Sequence, residues 1–179
     1  MDVIRIVLTA FKGDDEMLRI WNVEAKCNYQ VISDHLGRWG QITCIKWLLD
    51  NGTSICFGTG RGLVLVYQRT KDTVSQYTYT RNGKMLINLQ DMFKELSSTA
   101  VVPFNEPVES MDYDRNNCRL ILSSRTGMLK AFQVEKNGTL IFCWSKDLND
   151  TWKGVIPRSV RFTGKGENVL VCGLESGQM

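Results

Sequence analysis

The sequence is short of the residues on which many function classes depend. Its 179 residues include one histidine and three prolines, and its six cysteines form no Cys-x-x-Cys pair. The chain therefore lacks the closely spaced cysteine pair of a structural zinc site, and its few prolines exclude a proline-rich linker protein. No apolar stretch approaches the roughly 20 residues of a membrane-spanning helix. The N-terminus lacks the basic segment of a secretory signal. We therefore expect no bound metal or cofactor and no membrane partner.

Charge of one sign is not in excess either. The net charge is +3, the pI is about 8.5, and no more than two basic residues are adjacent. Domains that bind nucleic acid through a broad basic surface usually have a pI above about 9, so we do not expect nucleic acid as the main partner. The cysteines lie mostly in apolar runs such as Ser54–Phe57. Cysteine packs there as a small hydrophobe, which is typical of a reducing, intracellular compartment, cytoplasmic or nuclear.

What the chain does contain is 43% hydrophobic residues, enough for one domain with a core, and an internal repeat. In three segments an aromatic residue is followed, 14 or 15 residues later, by a glycine. These pairs are Trp47 and Gly62, Tyr113 and Gly127, and Phe162 and Gly177. The first two glycines are followed after five residues by a second aromatic, Tyr67 or Phe132. The same spacing before Trp21 places Glu16 at a glycine position.

Each repeat is predicted to form strand, turn, strand, turn and strand. The second and third strands are nearly continuous apolar runs, as expected for a sheet that is covered on both faces. Asn-Gly and Asn-Asn pairs, such as Asn116–Asn117, favour tight turns between the first two strands. A fourth strand fits at 28–33 and again at 139–145. A radial stack of small sheets covers each sheet in this way.

This pattern resembles the WD40-repeat β-propeller family. Its opening Gly-His element is similar to Asp34-His35, and its closing Trp-Asp is similar to Trp21-Asn22, Tyr67-Gln68 and Phe132-Gln133. The chain departs from the family because no closing Asp is present and only one histidine exists. The family's hydrogen-bond network of His, Ser, Trp and Asp therefore cannot form in full. Another all-β domain of short strands, such as a sandwich, is the alternative fold.

The resemblance implies an all-β partial propeller of about three four-stranded antiparallel blades, with the chain beginning and ending inside a blade. The expected divisions are a blade remnant at 1–33, a blade at 34–69, an insertion or long loop at 70–91, a blade at 92–133 and a blade remnant at 134–179. Open strand edges in such an arc lead us to expect poor solubility or oligomers. The spacing of Leu89, Met92, Phe93 and Leu96 fits an amphipathic helix, and a strand through 93–102 fits equally well.

The sequence offers little for catalysis. Gly58, Gly60 and Gly62 lack the spacing of a dinucleotide-binding loop and precede a strand, so a hairpin turn is expected. His35 has no second ligand at metal-binding spacing and is expected to be a buried hydrogen-bonding residue. The carboxylate pairs Asp14-Asp15 and Asp147/Asp150 are expected in solvated turns. We therefore predict that the protein is not an enzyme.

The loops that the resemblance places on one face of the propeller are more informative. They are 36–41, 59–62, 104–107, 124–127, 152–157 and 175–177. The candidate partner-binding residues in or beside them are Arg38, Trp39, Arg61, Arg125, Trp152, Lys153 and Arg158. Arg and Trp are enriched at interface hot spots, and Arg pairs with carboxylate or phosphate. The predicted function is a non-enzymatic scaffold that binds acidic or phosphorylated segments of other proteins. A nucleic-acid-associated module and a truncated product without activity of its own are the alternatives.

Overall fold

The structure is a computed structural model. It describes residues 8–12, 15–23, 26–33, 37–48, 54–69, 77–79, 85–87, 93–95, 104–163 and 169–177. Predictions for His35, Asp34 and Asp14 lie outside these ranges. Within them the protein is all-β, apart from a single 3₁₀ turn at Leu148–Asp150.

Fifteen strands are present in the described residues. They are β1 (Leu8–Lys12), β2 (Met17–Asn22), β3 (Cys27–Ser33), β4 (Ile42–Leu48), β5 (Ser54–Thr59), β6 (Val64–Arg69), β7 (Tyr77–Tyr79), β8 (Met85–Ile87), β9 (Phe93–Glu95), β10 (Val108–Asp114), β11 (Arg119–Ser124), β12 (Met128–Val134), β13 (Leu140–Asp147), β14 (Pro157–Thr163) and β15 (Val169–Leu174). Every pairing between them is antiparallel. The strands expected from the repeat are therefore confirmed, including the fourth strands at β3 and β13.

The strands form several open sheets, whose order follows the chain. Sheet 1 is β1-β2-β3, sheet 2 is β4-β5-β6-β9, sheet 3 is β10-β11-β12-β13 and sheet 4 is β14-β15, while β7 and β8 pair as a separate hairpin. Strand β9 pairs with β6 of sheet 2, although it lies in the segment 92–133 that was expected to form the next blade. Strand β13 pairs with β12 of sheet 3, although it lies beyond the division expected at 133/134. The helix hypothesis is wrong for Phe93–Glu95, because these residues pair with β6 as a strand. Leu89, Met92 and Leu96 lie outside the described residues.

Each hydrophobic core lies between two sheets that are consecutive in the chain. Between sheets 1 and 2, Leu18 and Ile20 meet Phe57 and Leu65. The other two cores lie between sheets 2 and 3 and between sheets 3 and 4. Strand β5 is buried along its whole length, because Cys56 faces sheet 3 while Phe57 faces sheet 1. This burial on both faces explains the uninterrupted apolar runs of the sequence.

Polar side chains join the first strands of neighbouring sheets. Asp112 of β10 accepts a hydrogen bond from the backbone N–H of Phe162 in β14 at 2.8 Å and forms an ion pair with Lys46 of β4 at 2.7 Å. Ser110 accepts a bond from the backbone N–H of Val160 at 3.3 Å. Because these partners come from three sheets, they hold β4, β10 and β14 side by side.

Strand β13 forms an outer edge of sheet 3 and carries exposed apolar side chains. The pairing passes from Phe132–Phe142 to Ala131–Trp144, which leaves Cys143 as the extra residue of a β-bulge. Phe142 and Trp144 consequently point to opposite faces of the sheet. Phe142 is 56% exposed and contacts Phe132 edge to face. A bulge weakens an edge as a template for a further strand.

Two further observations concern the part of the chain that is described. It holds no helix of the length and hydrophobicity needed to cross a membrane. Cys44, Cys56, Cys118, Cys143 and Cys172 are free thiols. Burial raises the pKa of the Cys56 thiol well above its usual value, so this sulfur remains protonated in the core.

Candidate functional site

The turns that contain the repeated glycine share one geometry. In each of them a glycine N–H donates to the backbone carbonyl three residues earlier: Gly62 to Thr59 at 3.1 Å, Gly127 to Ser124 at 3.3 Å and Gly177 to Leu174 at 3.0 Å. These glycines have φ values of +80°, +99° and +81°, and Glu16 at the equivalent position has +61°. The left-handed conformation explains why glycine recurs at this spacing. In two turns a hydroxyl, from Thr59 or Ser124, also accepts the N–H after the glycine.

The turn between β10 and β11 differs from the expectation. Its left-handed residue is Cys118, with φ +51°, and neither Asn116 nor Asn117 has a positive φ. Asp114 instead accepts hydrogen bonds from the backbone N–H of Asn116 at 2.9 Å and from the side chain of Asn117 at 2.6 Å. The two asparagines therefore stabilise the turn through their neighbour rather than through their own backbone conformation.

The glycine turns of neighbouring sheets lie along one edge of the stack. The N–H of Gly60 donates to the carbonyl of Gln41 at 2.7 Å, and a Cβ on Gly62 would lie 2.2 Å from the carbonyl oxygen of Phe104. Farther along, the side chain of Asn149 donates to the carbonyl of Thr126 at 2.6 Å. We call this surface the loop face. It consists of residues 37–41, 59–62, 104–107, 124–127, 152–157 and 175–177.

The structure places six of the seven predicted site residues at exposed positions in or beside the loop face. They are Arg38, Arg61, Arg125, Trp152, Lys153 and Arg158. The seventh, Trp39, is a correction: its side chain is fully buried and packs edge to face against Phe57 and Tyr67, at 5.0 and 6.3 Å between ring centroids. The turn at 37–41 folds its apolar residue inward over sheet 2, so Trp39 contributes to the core and offers no contact surface.

Carboxylates offset part of the basic charge of this surface. Glu109, whose side chain is 13% exposed, pairs with Arg125 at 3.3 Å and with Arg158 at 2.5 Å. Arg158 also pairs with Glu175 at 2.5 Å. Glu109 lies on β10 just outside the predicted loops, and no sequence signal marked it. The loop face is therefore less basic than the count of arginines suggests.

Arg158 joins sheets 3 and 4 electrostatically. Its hydrogen bond to Glu175, followed by its bond to Glu109, raises the pKa of the guanidinium above its usual value. Arg61 is held differently, because its Nη1 donates to the backbone carbonyl of Gly37 at 2.7 Å. That contact orients the side chain across the turn without neutralising its charge.

A pocket of about 480 Å³ opens between two loops of sheet 4. It is lined by Trp152, Lys153, Gly154, Val155, Ile156, Glu175 and Ser176. The indole of Trp152 is 53% exposed. An exposed aromatic ring beside an ammonium and a carboxylate provides one apolar and two charged contacts for a ligand.

Asn149 shapes the loop that carries Trp152 and Lys153. Its side-chain oxygen accepts the N–H of Gly154 at 3.0 Å and the N–H of Val155 at 3.4 Å. The side-chain amide donates to Thr126 and to Asp147. No sequence signal marked Asn149, because its partner Thr126 lies 23 residues away along the chain.

The described residues contain no group of three His, Cys, Asp or Glu side chains able to hold a metal ion. The carboxylates considered in the sequence have separate structural partners. Asp147 accepts the backbone N–H of Asn149 at 2.9 Å, Asp150 pairs with Lys146 at 3.5 Å, and Asp15 pairs with Arg19. The hydrogen bond from Arg19 lowers the pKa of Asp15 below its usual value.

Comparisons with known proteins inform the fold alone. No protein-family model matches the chain, and no curated protein matches its sequence. The crystal structure of a computationally designed protein named Ika4 matches with a TM-score of 0.59 and 13% identity, over 96% of this chain and 81% of that one. The crystal structure of the designed protein Ika8 matches with a TM-score of 0.60 and 14% identity, over 99% of this chain and 42% of Ika8. These likenesses agree with an all-β fold of antiparallel sheets.

Proposed function

We propose that the chain is a protein-interaction scaffold, built as part of a WD40-like β-propeller, that binds peptide segments of other proteins on its loop face. The architecture is supported by the alternation of sheets and cores, since consecutive sheets stack in chain order with a separate core in each gap. A sandwich has one core between two sheets. The neighbouring positions of β4, β10 and β14 also agree with first strands arranged around a common axis.

The observation that carries the binding function is the loop face itself. Turns from three sheets meet there. They present Arg61 in the turn of sheet 2, and Lys153 with the half-exposed ring of Trp152 in the wall of the pocket of sheet 4. Loops on a rigid scaffold are where binding residues concentrate. An exposed Trp next to a lysine fits a peptide that carries both apolar and acidic side chains.

The pairing of Arg125 and Arg158 with carboxylates favours a peptide over nucleic acid. A nucleic-acid surface gains affinity by releasing counterions from phosphates, which requires cations that are not already neutralised. Glu109 and Glu175 partly neutralise both arginines here. A peptide needs only a few such contacts and gains the remaining affinity from apolar burial.

The test is peptide binding by a charge-reversed variant with a matched control. The double variant Arg61→Glu, Lys153→Glu changes the loop face. The double variant Arg115→Glu, Lys136→Glu makes the same charge change in exposed turns at the other end of the strands of sheet 3. Arg125 is avoided because a glutamate there would lie beside Glu109. Peptides selected from a displayed library by the wild-type protein are measured by fluorescence anisotropy.

We expect the loop-face variant to lose at least about tenfold in affinity and the control variant to change less than about twofold. Equal losses in the two variants would show that only net charge matters. Full binding by the loop-face variant would place the site elsewhere. Preference for single-stranded RNA over peptides, with affinity falling steeply as salt rises, would favour the nucleic-acid alternative.

A further inference from the structure

Arg158 binds two carboxylates that differ in their surroundings. Its Nη1 contacts Oε1 of Glu109, and its Nη2 contacts Oε1 of Glu175, both at 2.5 Å. Glu109 is largely buried in sheet 3, and its second oxygen accepts from Arg125. Glu175 is 50% exposed and lies in the turn after β15. Glu109 is therefore packed within the sheet, whereas Glu175 lies at the surface, where its side chain has room to adopt another rotamer.

Glu175 is also a wall of the pocket that contains Trp152 and Lys153. The Glu175 carboxylate that pairs with Arg158 thus borders the space into which a ligand would enter. The backbone of this turn is held independently of the carboxylate, because the N–H of Glu175 donates to the carbonyl of Ile156 at 3.0 Å. The Glu175 side chain can consequently leave Arg158 without unfolding the turn.

We propose that Glu175 occupies the site of a ligand carboxylate, and that an acidic side chain of a bound peptide replaces it on Arg158. Lys153 then provides a second cation, and the ring of Trp152 packs against an apolar residue next to the acidic one. The inference rests on the proposed peptide-binding function and names the ligand chemistry: an anionic side chain beside an apolar one.

The balance of charge and exposure supports this assignment. The Arg158–Glu175 pair is exposed, with 43% and 50% of the two side chains accessible, so solvent screens it and the pair contributes little to stability. Exchanging one exposed carboxylate for another therefore costs little. Lys153 lines the pocket, and Arg158 lies beside it as the partner of Glu175, a pocket wall. Once Glu175 has turned away, Arg158 keeps Glu109 as a partner, and the two cations favour an anionic ligand over a cationic one.

The experiment uses a fluorescein-labelled, terminally blocked pentapeptide of alternating glutamate and leucine, and measures binding by anisotropy. A version with phosphoserine for glutamate tests phosphate as the source of the anion, and a version with glutamine tests the need for charge. Glu175→Gln removes the internal competitor and keeps the shape of the side chain. Glu106→Gln is the matched control, because it removes the same charge from the loop face at a position outside the pocket.

We expect Glu175→Gln to bind the acidic peptide about two- to fivefold more tightly than the wild type, with Glu106→Gln changed less than about 1.5-fold. Arg158→Gln and Trp152→Ala are expected to weaken binding about tenfold or more. Because Arg158→Gln also removes a contact between sheets, its thermal melting is measured beside its affinity. The gain at Glu175 is the decisive readout, since a merely structural role would produce a loss.

Each outcome separates this inference from the proposed function. If the wild type binds peptides through the loop face and Glu175→Gln binds equally or more weakly, the displacement of Glu175 is overturned and the docking function stands. Equal gains in Glu175→Gln and Glu106→Gln would overturn it as a general charge effect. If the wild type binds none of the selected, acidic or phosphorylated peptides, both proposals fail.

Discussion

Replacing Gly62 with alanine tests how closely the loops of sheets 2 and 3 approach each other. Gly62 has φ +80°, and a Cβ added there would lie 2.2 Å from the carbonyl oxygen of Phe104 and 2.5 Å from that of Glu106. Both obstacles are backbone atoms, so no side-chain rotation relieves the overlap. The segment at Phe104–Glu106 would have to move away, and it lies at the junction of the loop face with the core between sheets 2 and 3.

The expected loss of stability combines two costs. An L-residue in the left-handed region costs about 1–2 kcal/mol. Forcing extra volume into a packed site costs a further 1–3 kcal/mol or so. We therefore expect Gly62→Ala to lower the free energy of unfolding by about 2–5 kcal/mol. That is a large share of the roughly 5–15 kcal/mol of a typical protein.

Two other glycines separate these costs. Gly37 has φ +60° and no atom within 4 Å of an added Cβ, so Gly37→Ala measures the conformational cost alone. Gly58 lies in β5 without a positive φ, and a Cβ there would lie 2.8 Å from the Cys44 sulfur and from Val108. Gly58→Ala therefore measures the packing cost alone.

Urea unfolding followed by tryptophan fluorescence provides the assay. With an m-value of about 2 kcal/mol per molar urea, the expected midpoint shift for Gly62→Ala is roughly 1–2.5 M. Gly37→Ala should shift the midpoint by less than about 1 M. If Gly62→Ala costs no more than Gly37→Ala, residues 104–106 do not lie against the turn and the contiguous loop face is wrong.

Three further predictions concern single positions. Glu16 occupies the left-handed position of its turn with φ +61°. Glu16→Gly should therefore stabilise the protein by about 0.5–1 kcal/mol. An unchanged or lower Tm would contradict the alignment of this turn with the glycine turns. Asp112→Asn keeps an acceptor for the N–H of Phe162 but loses the charge that pairs with Lys46, so it should lower the free energy of unfolding by about 1 kcal/mol. Asp112→Ala loses both and should lower it by about 2–3 kcal/mol. Equal losses of the two variants in urea unfolding would show that the hydrogen bond to Phe162 contributes nothing. Phe142→Lys places a charge on the exposed edge strand and should reduce self-association in sedimentation velocity at high concentration, whereas unchanged association would exclude this strand as its cause.

The geometry of the glycine turns was predictable because it depends on neighbouring residues, whereas the turn between β10 and β11 uses Cys118 as its left-handed residue against expectation. A two-strand hairpin needs a left-handed residue at a set distance from its strands, and glycine recurs where the chain supplies it. Even the exception, Glu16, follows from spacing alone. The strands flanking these turns were predictable for the same reason, because their apolar runs match the burial of both faces that the structure confirms in β5.

The candidate site was predictable only in part. The spacing located the loops and most of their exposed residues, but it did not separate Trp39, which packs into the core, from Trp152, which stays at the surface. Glu109 was missed because its role depends on Arg125 and on Arg158, which lies 49 residues away. Burial and long-range ion pairs depend on which sheets pack together.

The sequence by itself therefore determined the order of strands and turns, the positions of the left-handed residues in the glycine turns and the all-β class, since each arises from interactions over a few residues. Only the tertiary structure decided that β9 extends sheet 2, that a bulge at Cys143 turns Phe142 and Trp144 to opposite faces, and that carboxylates restrain the arginines of the loop face. These features depend on pairing and packing between segments distant in the chain. Sequences with the same local pattern can pair and pack their strands in other ways, so the local pattern does not determine these features.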